Sequence, residues 1–74
     1  MIVKRGETKT VDNPSQSVSC EEGGTIIVKR AKNVYVEEGG KYALENGDDS
    51  CETLYVDEKA IDITNVNKLA NFGD

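Results

Sequence analysis

Ser19-Cys20-Glu21 and Ser50-Cys51-Glu52 are the same three residues in the same order, and similar segments follow each. Thr25-Ile26-Ile27-Val28 answers Thr53-Leu54-Tyr55-Val56, and the pair Val34/Val36 answers Ile61/Ile63. Ile2-Val3-Lys4-Arg5 returns as Ile27-Val28-Lys29-Arg30, which adds an earlier copy. Such self-similarity in a short chain points to stacked units, each too small to bury an apolar face alone.

The units read as strands. Glycines and polar clusters cut the chain into short pieces rich in Val, Ile, Thr and Tyr, among them Ser17–Cys20, Thr25–Arg30, Asn33–Val36, Lys41–Glu45 and Cys51–Asp57. Short β-branched runs bounded by Gly, Asn or Asp are strand signals. Only 66–72 carries apolar residues at helical spacing, enough for one or two turns. The class is all-β, in a single domain spanning 1–74.

Two architectures fit. In the preferred one the repeat is a rung of a short parallel β-solenoid, with intervals of 25 and 28 residues, about three rungs, and Leu69 to Asp74 as a C-terminal cap. Stacking at about 4.8 Å per rung places Lys29-Arg30 beside Asp57-Glu58. It also sets Lys4-Arg5 beside Lys29-Arg30, an unfavourable like-charge pair. In the alternative, the two Glu-Glu-Gly-Gly stretches, 21–24 and 37–40, are hairpin loops of an antiparallel β-meander or small sandwich. Glycine suits the positive-φ positions of such loops.

Composition bears on stability and on function. Seventy-four residues with 36% apolar content and no Trp lie near the lower limit for a domain that folds without a staple. Regular stacking, a partner chain or a crosslink is therefore expected to help. The net charge of −5 is unevenly spread: residues 1–36 carry six basic and four acidic side chains, whereas 37–62 carry two basic and nine acidic ones. The acidic block comprises Glu37, Glu38, Glu45, Asp48, Asp49, Glu52, Asp57, Glu58 and Asp62. Such asymmetry steers association with a basic partner, although acidic loops also simply keep a small β-protein soluble.

Catalytic chemistry has little to stand on. The chain has no histidine, the commonest general base, and its serines 15, 17, 19 and 50 lack a recognisable base or oxyanion frame. No catalytic residue and no cofactor is assigned, and the chain is read as a non-enzyme. Gly23-Gly24 and Gly39-Gly40 open no helix and lack the Gly-Lys-Ser/Thr signature of a phosphate loop. Two thiols without histidine make a poor zinc set. The oxygen-rich stretch from Glu45 to Glu52 departs from the EF-hand spacing and reads as a solvated turn, so no metal is assigned.

Cys20 and Cys51 hold equivalent places in the repeat. On neighbouring rungs their Cα atoms would lie about 5 Å apart, close enough for paired thiols or a disulfide. The competing account is two small apolar residues in a core.

The function expected is that of a small acidic binding protein that occupies a basic, nucleic-acid-binding surface of a larger protein. Carboxylates stand in for phosphates, as suits a viral or mobile-element inhibitor. Its contact residues are the acidic side chains Glu37, Glu38, Glu45, Asp48, Asp49, Glu52, Asp57 and Glu58, with Tyr42 and Tyr55 as anchors; Tyr35 is a further candidate. Direct nucleic-acid binding is not expected of a chain with this charge. The alternative is a self-associating structural module, a homodimer formed at the N-terminal end, where Met1-Ile2-Val3 shows no obvious cap. With no leader-like apolar core and no run of membrane-spanning length, the location expected is cytoplasmic, with reduced thiols.

Overall fold

The computed structural model describes residues 1–66. It contains seven strands: β1 (Ile2–Val3), β2 (Thr8–Asp12), β3 (Ser17–Cys20), β4 (Thr25–Val36), β5 (Lys41–Leu44), β6 (Cys51–Val56) and β7 (Ile61–Asp62). A 3-10 turn, Gly47–Ser50, lies between β5 and β6. Every strand pair is parallel. One face stacks β1, β3, the second half of β4, and β6; the other stacks β2, the first half of β4, β5, and β7. The chain is a β-solenoid of about four coils.

The solenoid expectation holds, but its period does not. Ile2 pairs with Ser19, Ser19 with Tyr35 and Tyr35 with Tyr55, steps of 17, 16 and 20 residues. Intervals of 25 and 28 residues are thereby replaced, and the stack has one coil more than expected. Ile2 does not lie over Ile27, nor Thr25 over Thr53: Thr25 pairs with Thr8 and Lys41. Arg30 is not beside Asp57-Glu58 either. It lies opposite Asp12, its Nε 2.8 Å from Asp12 Oδ1. The expected terminal cap, Leu69 to Asp74, lies outside the described residues, as does the helical stretch 66–72 apart from residue 66, which is helical together with 64 and 65.

Alternation builds the core. In β3, and in β4 over 25–28 and 33–36, every second side chain turns inward and is buried, with mostly polar neighbours outside. The core comprises Val3, Val11, Val18, Cys20, Ile26, Val28, Ala31, Val34 and Val36. Small β-branched residues suit a thin interior between two facing sheets. β4 passes from one face to the other without a break. Lys29 and Arg30 are both exposed there, and the register slips from Val11 opposite Val28 to Asp12 opposite Arg30. A bulge of this kind turns a strand at the cost of one unpaired residue.

The opposite corner is a stack of four turns: 4–7, 21–24, 37–40 and 57–60. In each, the fourth N–H donates to the first carbonyl at 2.9 Å. The two Glu-Glu-Gly-Gly stretches are therefore corners of successive coils rather than hairpin loops. Gly23 and Gly39 stand at φ +80°, the third position of a type II turn. Lys59 holds that place in the last coil without positive φ, its N–H donating to Asp57 Oδ1.

At the open end of the first coil, two outward-facing backbone groups find partners in exposed side chains. Lys4 N–H donates to Glu7 Oε1 at 2.9 Å, and the Lys9 ammonium reaches Ile2 O at 3.4 Å. Charged side chains turned over an edge are one way of guarding it.

Candidate functional site

Stacked corners place like residues in columns. Glu21 N–H donates to Val3 O, Glu37 N–H to Cys20 O and Asp57 N–H to Val36 O, so Glu21, Glu37 and Asp57 succeed one another along the axis. Glu22, Glu38 and Glu58 form the adjoining column. Within each column the backbones are about 4.8 Å apart. Like charges opposite one another on neighbouring strands are destabilising. Lys4 and Arg5 head the two columns, and Lys59 Nζ lies 3.5 Å from Glu38 Oε1. Most of this negative charge faces solvent.

Beside the corner, on the outer face of β4 and β6, stand Tyr35 and Tyr55. They are register partners, with ring centroids 4.9 Å apart and planes inclined by 4°. Both are substantially exposed, Tyr35 at 41% and Tyr55 at 54%. An open groove of about 620 Å³ is lined by the two tyrosines, the acids Glu37, Glu38 and Asp57, and the apolar Val56. An aromatic face beside carboxylates suits a partner's guanidinium or ammonium, which gains both cation–π and ionic contact.

The structure divides the expected contact residues. It brings Glu37, Glu38, Asp57, Glu58 and Tyr55 together. Glu45, Asp48, Asp49 and Glu52 lie at the other corner, around the 3-10 turn. There Arg30, Asp48, Asp49 and Glu52 border a second, smaller groove of about 400 Å³. Ser50 ties this turn down: it is buried and its Oγ accepts the Asn46 N–H, while Asn46 Nδ2 donates to Lys29 O. Tyr42 is not a free anchor. It stands at an inward position, partly buried against the core. Sequence reasoning left out Glu21 and Glu22 and ranked Tyr35 behind Tyr42 and Tyr55. The signal was the 16-residue spacing of the two Glu-Glu-Gly-Gly tetrads, which fixes the columns.

The thiol pairing is overturned. Both cysteines are free. Cys20 stacks between Val3 and Val36, whereas Cys51 lies opposite Ala31. Cys51 is five residues, or about 16 Å of strand, short of Val56, the residue two coils from Cys20. Burial pushes the Cys20 thiol up, with Glu37 and Glu21 adding to the shift and the backbone of Lys41 opposing it. Burial also raises Cys51. Neither is poised as a nucleophile.

These shifts give a stability prediction. Tyr42 is raised too, by burial and then by Asp62. A buried acid whose folded pKa is raised binds its proton more tightly than the unfolded chain does. The contribution is thus complete below the ordinary values of 9.0 for Cys and 10.0 for Tyr, and is lost as pH rises beyond them. Urea midpoints should fall between pH 8.5 and 10.5; a midpoint constant across that range would contradict the shifts. Mild oxidation at pH 8 should leave both thiols titratable after denaturation, with no internal disulfide.

Among the described residues, no helix is long and apolar enough to cross a membrane, and no group of three or more His, Cys, Asp or Glu is placed to hold a metal ion. No protein-family model matches the chain, and no curated protein or solved structure shows significant similarity to it.

Proposed function

We propose that the protein is a non-catalytic binding module whose acidic corner and tyrosine pair engage a basic surface on a larger protein. The observation that carries this reading is the juxtaposition of two carboxylate columns with the exposed Tyr35–Tyr55 stack along one groove. Columns of like charge cost the fold stability, and a cationic partner relieves that cost. A nucleic-acid-binding surface, rich in Arg and Lys, is the kind of partner such a corner fits. Capture of that surface would make the protein an inhibitor.

Charge position, not charge alone, is the point to test. Binding of a fluorescent Arg/Lys-rich peptide, followed by anisotropy, should weaken at least tenfold between 50 and 300 mM salt. The triple variant Glu37→Gln/Glu38→Gln/Asp57→Asn should weaken it about tenfold at low salt. The matched triple Asp48→Asn/Asp49→Asn/Glu52→Gln has the same net charge and should bind nearly as the parent does. Equal losses from the two triples would sink the proposal.

A further inference from the structure

The two ends of the stack match each other. Each column can be followed from first coil to last: Ile2, Ser19, Tyr35, Tyr55; Val3, Cys20, Val36, Val56; and, on the other face, Lys9, Ile26, Tyr42, Asp62. At the corner, the residues after Val3 and after Val56 begin the turns, so Lys4 and Arg5 head the columns that end in Asp57 and Glu58.

We propose that the protein associates head to tail, with the last coil of one copy receiving the first coil of the next in the register that runs through the stack. One further step of the same pairing sets Ile2 on Tyr55, Val3 on Val56, Lys4 on Asp57, Arg5 on Glu58 and Lys9 on Asp62. Three cations meet three carboxylates. Ile2, 55% exposed, meets Tyr55, 54% exposed, and the half-open Val56 is covered. The backbone allows it as well. Tyr55 and Asp57 turn their amides toward the coil below, which leaves the polar groups of Leu54 and Val56 facing away from it. Among the described residues β6 pairs only with β4, and β7 only with β5. On the first coil the outward groups of Ile2 and Lys4 are held only by the exposed side chains of Lys9 and Glu7. Lys9 can turn from Ile2 O to the incoming Asp62.

The other pairings are repelled. Tail to tail, Asp57, Glu58 and Asp62 would face their own copies; head to head, Lys4, Arg5 and Lys9 would do so. A heterologous contact that repeats by translation does not close, so the product is a linear series rather than a dimer. This inference shares Tyr55, Val56 and Asp57 with the basic-partner groove, so its test carries a polybasic peptide arm that tells the two apart.

The test uses cysteines at the two ends. In a Cys51→Ser background, the doubly substituted Ile2→Cys/Tyr55→Cys chain should oxidise to a ladder of linked dimers, trimers and higher species on a non-reducing gel. Within one copy the two sites are three coils apart, about 14 Å, too far for an internal bond. A chain with only one of the two introduced cysteines, its Cys20 buried, should stay monomeric. Adding Asp57→Lys/Glu58→Lys, or Lys4→Glu/Arg5→Glu, should reduce the ladder about tenfold, and mixing those two variants should restore it. A dimer from Tyr55→Cys alone would mean tail-to-tail packing and overturn the proposal. Dimers from both singles would mean random collision, with the same consequence. So would a monomer in every arm from chains whose circular dichroism is native, or a polybasic cysteine peptide that links Tyr55→Cys while the doubly substituted chain forms no ladder.

Discussion

Replacing Ile26 by alanine should leave the protein largely unfolded or close to it. Ile26 is fully buried in the second coil, with Lys9 and Tyr42 as its register partners, and belongs to the one cluster that joins the two faces. Truncating a buried Ile to Ala costs about 2–5 kcal/mol, through lost transfer energy and the cavity left behind. A chain of 74 residues has about 4–11 kcal/mol in total, at roughly 0.05–0.15 per residue. The interior is too thin to collapse onto the gap without moving a whole rung, which places the cost toward the upper end. With an m-value of about 1 kcal/mol/M, the urea midpoint should fall by about 2 M or more. Ile26→Val removes one methylene and should cost about 0.5–1.5 kcal/mol. Ile61→Ala, at a site 45% exposed, should cost less still. If Ile26→Ala and Ile61→Ala shifted the midpoint equally, Ile26 would not be the centre of the core.

Why the sequence yields the solenoid but not its period follows from what a coil demands of its residues. Inward positions accept any small apolar side chain: Val3, Cys20, Val36 and Val56 share one column, and Val18, Val34 and Leu54 share another. Outward positions accept almost anything, as Ile2, Ser19 and Tyr35 show. Identity between residues is therefore a poor guide to register, and the Ser-Cys-Glu match is a coincidence of composition. Only the corners are chemically strict, because their third position takes φ near +80° in three coils. The two Glu-Glu-Gly-Gly tetrads carried the true step, but glycine-rich tetrads between β-branched runs look equally like hairpin loops. The last coil hid the step further. Its approach is lengthened by the 3-10 turn, and its corner, Asp57-Glu58-Lys59-Ala60, has no glycine at all. The candidate site inherits this pattern. The acidic block was visible as charge, but which acids share a corner, and that Tyr35 meets Tyr55, depends on the register.

Gly24 should be the most demanding of the corner positions. A Cβ there would stand 3.0 Å from both Val3 O and Lys4 O and 3.2 Å from Glu21 O. These are backbone atoms already in use: Val3 O accepts the Glu21 N–H, Lys4 O the Glu7 N–H, and Glu21 O the Gly24 N–H itself. None can retreat without loosening either the turn or the ladder between the first two coils. Gly23 presents a different problem. Its φ of +80° disfavours any L side chain, by about 1–2 kcal/mol, but the atom in its way, Arg5 Cγ at 2.7 Å, belongs to a flexible exposed side chain that can swing aside. Gly6, at φ +81° with nothing within 4 Å, isolates the conformational cost alone. The order of destabilisation should be Gly24→Val, at about 3 kcal/mol, then Gly23→Ala, then Gly6→Ala at about 1 kcal/mol. Urea unfolding of the three variants gives the comparison directly. The stacked corner requires close backbone approach at the fourth turn position; if Gly24→Val cost no more than Gly6→Ala, coils one and two would have to be further apart than this register places them.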